Sequence, residues 1–143
     1  CGYYSEDPMT AWCIDSIVDF CEDKQGAHTA LYAPMLGNNP IDEGMADKWF
    51  ADFWDKVIPV LETRLSGHGK KFIAGTDRPT IADFKAFQTV FMNLESNRGC
   101  ALSAQLLNRV KTRMQASPAY WRWVQNMEQE CSGYIQSRTP APF

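Results

Sequence analysis

The chain has 143 residues, with 14 Lys and Arg against 17 Asp and Glu for a net charge of −3, and a pI near 5.3. That balance leaves no basic excess to neutralise a run of phosphates, which excludes nucleic acid as the principal ligand. No apolar run approaches the roughly 18–20 residues that cross a bilayer. With 45% hydrophobic and 13% aromatic residues, a single soluble domain spanning 1–143 with a real core is expected, not a disordered segment.

Apolar residues recur at helical spacing and no segment alternates as a strand would, so an all-α bundle of five to seven helices is predicted. Asp7 caps the first helix, and Pro8 takes its first position, where a missing N–H costs nothing. Met9, Trp12, Cys13, Ile17, Phe20 and Cys21 mark one apolar face. Gly26 predicts a break or kink. A loop through 37–40 leads to a second helix over 41–65, where Met45, Trp49, Phe53, Val57 and Leu61 form a ladder widened by Phe50, Trp54 and Ile58. Pro59 inside this pattern predicts a kink, because its ring clashes with the carbonyl one turn back. Gly67, His68 and Gly69 end the helix, and 71–79 is turn-rich with a short plug at Phe72 and Ile73.

Thr80-Ile81-Ala82-Asp83 opens a third helix with a capping box in which Asp replaces the usual Glu. Ile81, Phe84, Phe87, Phe91 and Leu94 supply its buried face, and Arg98 and Gly99 break it. A further helix covers about 103–115. Ser117-Pro118 repeats the cap-plus-proline start, Tyr120, Trp121, Val124 and Met127 give the apolar side, Gly133 is the expected stop, and 139–143 is a tail.

Five Cys with no Cys-x-x-Cys pair, and only two His, argue against a disulfide framework, a metal site or a His-based nucleophile. Buried thiols and a reducing, cytoplasmic setting fit that usage. Thr80 and Asp83 have the spacing of a cap, not of a catalytic pair, so losing Asp83 is expected to damage folding and not turnover. The opening at Cys1 instead of Met leads to the expectation of a fragment or a processed product. Asp15, Asp19, Glu22 and Asp23 gather on one side of the first helix, where like charges one turn apart repel. That side is either a solvated acidic face or one relieved by an ammonium group, a cation or a basic surface. Tyr3 and Tyr4, just before it, either pack against a neighbour or stand as surface aromatics.

The run 71–84, Lys-Phe-Ile-Ala-Gly-Thr-Asp-Arg-Pro-Thr-Ile-Ala-Asp-Phe, resembles the signature of the glutathione S-transferase C-terminal domain, in which an aromatic-aliphatic turn precedes a Thr-x-x-Asp box. Gly2 to Pro8, followed by Trp12, Asp15, Ile17, Val18 and Asp19, resembles the approach to that domain's first helix, and Pro59 suits its kinked second helix. The sigma class, with its mu- and alpha-like relatives, is the most similar.

The resemblance implies that a thioredoxin-like domain, absent from these residues, carries the thiol-activating group, so no residue of this chain is assigned a catalytic role. Glutathione is then a co-substrate held in a full-length homodimer, and a hydrophobic electrophile is its partner. It further implies that Asp23, with Glu22 and Asp19 beside it, reaches the glutathione α-amino group across the dimer. It likewise implies that Trp12, Ser16, Phe20 and Tyr134 form the electrophile wall. Lys24 and Gln25 stand where apolar residues are expected. The alternative is a non-catalytic, transferase-like protein-interaction module in a larger assembly.

Overall fold

The computed structural model describes residues 2–36, 43–88 and 104–137, without the side chains of 27–36 and 104–107. These residues form helices α1 (Pro8–Leu36), α2 (Glu43–Trp49), α3 (Asp55–His68), α4 (Ile81–Phe87), α5 (Ala104–Gln115), α6 (Pro118–Glu130) and α7 (Ser132–Ser137), with a π turn, Phe50–Trp54, joining α2 to α3. Counting the bent rod from α2 to α3 as one, the described residues make six helices and no strand, the all-α bundle that the periodicity predicts. The loop at 37–40, the start at Ile41, Phe91, Leu94, the break at Arg98 and Gly99, and the 139–143 tail lie outside the described residues.

α1 begins as its sequence dictates. The Asp7 carboxylate accepts the Thr10 N–H at 2.8 Å and the Thr10 hydroxyl at 2.7 Å, and these bonds hold its carboxyl below the ordinary range. The expected break at Gly26 does not occur, since α1 continues to Leu36. An interior glycine costs only about 1 kcal/mol relative to alanine, and its neighbours keep the helical ladder intact.

The stripe on the second rod is half-buried at Met45 and buried from there on, at Trp49, Phe50, Phe53, Trp54, Val57, Ile58, Leu61 and Leu65. The irregularity sits one turn upstream of Pro59. The Asp55 N–H reaches back to the Phe50 carbonyl, a widened turn that ends at the residue whose carbonyl would meet the Pro59 ring. The widened turn also seats an aromatic cluster. The Trp54 ring stands edge-on to Trp49 at 5.5 Å and to Phe53 at 5.2 Å. Gly69, at φ 62°, ends α3 in the left-handed conformation that glycine adopts without strain.

Asp83 organises the centre. It is fully buried, and its capping box with Thr80 closes in both directions. Its Oδ2 accepts the Thr80 N–H and the Thr80 hydroxyl, each at 2.8 Å. Its Oδ1 accepts the Ile73 N–H and the Trp123 indole N–H, each at 2.9 Å. One carboxylate thereby joins the 71–79 turn, α4 and α6. The plug residues Phe72 and Ile73 are buried beside it.

Two further expectations are corrected. Ser117 makes no side-chain cap to α6. The Glu62 carboxylate of α3 takes that place, accepting the Ala119 N–H at 3.2 Å and the Tyr120 N–H at 2.7 Å. Gly133 does not end the helical run: α6 closes at Glu130, Cys131 caps it, and Gly133 lies inside α7.

Candidate functional site

The core side of α1 is carried by Ile14, Ile17 and Cys21, which leaves the residues of interest on its outer side. The four carboxylates there separate into two kinds. The Tyr4 hydroxyl donates to both Asp15 oxygens at 2.7 Å, and that bond, with the nearby negative charge, raises the tyrosine pKa above its ordinary value. Glu22 is ion-paired with Lys85 of α4, whose ammonium also reaches Gln25 at 3.4 Å. Asp19 and Asp23 are exposed, and neither has a partner among the described residues. The face is therefore relieved at Asp15 and Glu22 and left open at Asp19 and Asp23.

Trp12, Ser16 and Phe20 follow one another at four-residue steps and so share a line along α1. Trp12 is 63% exposed. The Ser16 hydroxyl donates to the Cys13 carbonyl at 2.9 Å and accepts from Arg64 Nη1 at 3.0 Å, so its proton is committed within the helix. Phe20 is half-buried against the core, with the Lys24 ammonium 5.7 Å from its ring centroid. Tyr134, 62% exposed, stands apart on α7, which packs on α6.

The two leading tyrosines do pack. The Tyr3 ring meets Phe84 edge-on at 5.1 Å, and the Tyr3 carbonyl accepts the Ile81 N–H at 2.9 Å. The approach to α1 is thus fastened to the first turn of α4.

Burial pushes the Cys21 thiol up to about 11, against the opposing pull of the Lys85 and Arg64 charges. A thiol held so firmly protonated is a packing group and not a nucleophile. Among the described residues no group of three His, Cys, Asp or Glu side chains is placed to hold a metal ion. No helix among them is long and apolar enough to cross a membrane.

Sequence reasoning missed the cross-helix partners. Arg64, on α3, fastens to α1 through Ser16 and borders a groove of about 380 Å³ with Pro59, Val60 and Thr63. Arg109 and Arg113 lie over the buried Phe50 ring at 4.2 and 4.3 Å. They pair with Asp47 and Asp55, each at 2.7 Å, which clamps α5 to the π turn. No spacing rule joins residues 48 or more positions apart, so nothing in the pattern marked them.

The family model described as "Glutathione S-transferase, C-terminal domain" matches residues 28–127. It runs from the second half of α1 to Met127 on α6, so the α1 residues from Trp12 to Lys24 lie ahead of it. No curated protein and no solved structure matches the chain.

Proposed function

The chain belongs to the glutathione S-transferase C-terminal domain family, and on that premise we propose that it is the helical, substrate-holding half of a sigma-like glutathione transferase. A thioredoxin-like domain would activate the glutathione thiol. This chain would orient a hydrophobic electrophile along the Trp12, Ser16 and Phe20 line, with the exposed Tyr134 on α7 a separate aromatic contribution to the wall. Its contribution to rate is positioning, which makes an encounter effectively intramolecular.

The observation that carries the glutathione role is the division of the acidic face. Asp15 and Glu22 are occupied within the chain, whereas Asp19 and Asp23 are exposed carboxylates with no partner among the described residues. An α-ammonium group offered by glutathione in a homodimer satisfies them by charge. Glu22, committed to Lys85, supports them as neighbouring charge.

The test joins this chain to the thioredoxin-like half of a sigma-class transferase and assays conjugation of glutathione to 1-chloro-2,4-dinitrobenzene. Activity is expected, and Asp23→Ala should raise KM for glutathione about fivefold, the worth of one partly screened ion pair, while kcat changes little. An active dimer whose KM is indifferent to Asp23→Ala would show that glutathione is held without this face.

A further inference from the structure

The buried plug residue Ile73 has both of its backbone groups held by side chains of other elements. Its N–H goes to Asp83 of α4 at 2.9 Å. Its carbonyl lies 3.3 Å from Nε2 of His68, the last residue of α3. The other ring nitrogen, Nδ1, accepts the Lys70 N–H at 3.0 Å. In many helix endings that N–H would return to a carbonyl of the last turn; here an imidazole takes it. The ring also lies against the far end of the same turn, since a Cβ added to Gly75 would stand 3.5 Å from His68 Cδ2.

The two partners dictate one form of the ring. A backbone N–H only donates, so Nδ1 is bare; a carbonyl only accepts, so Nε2 carries the proton. That is the neutral imidazole in a single tautomer. We propose that His68 is a pH-sensitive latch on this turn: neutral, it bridges Lys70 to Ile73, and protonated, it lets the Gly69–Lys70 corner open. A proton from water takes the Nδ1 lone pair, which then meets the Lys70 N–H donor to donor, and that hydrogen bond breaks. The Nε2–H bond to Ile73 persists and keeps the ring in place. The charged groups of the neighbouring segments are already committed. Lys70 pairs with Asp77, Lys71 with Glu130 of α6, and the Asp83 oxygens accept four donors. Arg64, one turn earlier on α3, is directed to Ser16. Histidine changes charge between about pH 5 and 8, so the latch is closed in neutral solution and opens in mild acid. It stands independently of the transferase reading.

The test is a nuclear magnetic resonance titration of the 15N-labelled 143-residue chain from pH 8 to pH 5. At pH 8, long-range proton–nitrogen correlations should show His68 protonated at Nε2 and bare at Nδ1. As the ring gains its second proton, the Lys70 amide signal should move with the same midpoint. Its protection, taken relative to an unstructured peptide at each pH, should fall about fivefold, the net worth of one hydrogen bond. The Ile73 amide, held by Asp83, should keep its protection. His68→Gln should make Lys70 protection independent of pH over this range. A ring protonated at Nδ1 at pH 8, or Lys70 protection unchanged while the ring titrates, overturns the proposal. So does an equal loss at Ile73, which would mean that the whole plug opens. These readings come from the unaltered chain, so they hold whether or not His68→Gln folds.

Discussion

Asp83 gives the sharpest test of how this domain holds together. Replacing it with alanine would leave the N–H groups of Ile73 and Thr80 and the indole N–H of Trp123 without an acceptor. All three residues are buried, so water cannot replace the carboxylate. Each stranded donor costs about 1–3 kcal/mol, and the lost cap adds about 1 kcal/mol. The sum, about 4–10 kcal/mol, is comparable to the entire stability of many domains, about 5–15 kcal/mol. Asp83→Ala should therefore be largely unfolded, and Asp83→Asn is the informative variant. Whichever way its amide turns, the NH2 faces two donors, either Ile73 N–H with Trp123 N–H or the Thr80 pair. A loss of about 2–4 kcal/mol follows, measured as the shift in urea unfolding by far-ultraviolet circular dichroism. Trp123→Phe removes one of the opposed donors, so the double variant should recover about 1 kcal/mol relative to the sum of the single changes. Strict additivity, or an Asp83→Ala variant that loses less than about 2 kcal/mol, would refute the reasoning.

Two further outcomes follow from the same bookkeeping of buried groups. Glu62→Ala should cost about 1–2 kcal/mol, the usual worth of a cap, and should raise amide exchange at Ala119 and Tyr120; Glu62→Gln, which keeps an acceptor, should cost less. The Cys21 thiol is raised from 9.0 to about 11, so the folded state keeps its proton longer than the unfolded chain. Its stabilising contribution is complete below about pH 9 and lost as pH rises through about 11, on the order of 2–3 kcal/mol in all. Urea midpoints should fall over that window and fall less in Cys21→Ala. The Tyr120 hydroxyl, raised by its own burial, keeps some alkaline loss in the variant. Iodoacetamide should label Cys21 only on unfolding, and rapid labelling at Cys21 in the folded protein at pH 8, located by peptide mass, would contradict the buried thiol.

The fold was legible because its signals are local. Asp7 with Pro8 and the Thr80–Asp83 box each lie within about one helical turn, each step of the ladder from Trp49 to Leu65 is about one turn or less, and all form as their spacing requires. The misreadings came from partners distant in sequence. Ser117 looked like a cap, but Glu62, 55 positions earlier, fits the α6 terminus with two oxygens where a serine offers one. Gly26 and Gly133 looked like stops because glycine is costly in a helix. That cost is small beside the packing of α1 on α2 and α4, and Gly133 simply continues the turn after Cys131. Asp83 was read as a cap alone, and its bonds to Ile73 and Trp123 are tertiary facts that no periodicity encodes. For the candidate site, the acidic spacing on α1 was visible in the sequence. Which acids remain open depended on Tyr4 and Lys85, and so on how α4 docks.

That docking gives α1 two adjacent lines of opposite sign. One holds Asp19 and Asp23 with no counter-charge among the described residues. The other holds Ser16, Phe20 and Lys24, with Arg64 brought in from α3. Both lines are positioned by residues that do not belong to them. Lys85 draws Glu22 toward α4, and Ser16 anchors Arg64 at the head of the groove. An ammonium-bearing ligand would then be drawn by charge to the open acidic line of the helix. The electrostatics would give orientation more than affinity, because each pair is partly screened and worth about 1 kcal/mol or less. Asp23→Lys should therefore raise KM for glutathione in the joined transferase more than Asp23→Ala does, with little change in kcat, and an unchanged KM would show that glutathione does not use the acidic line.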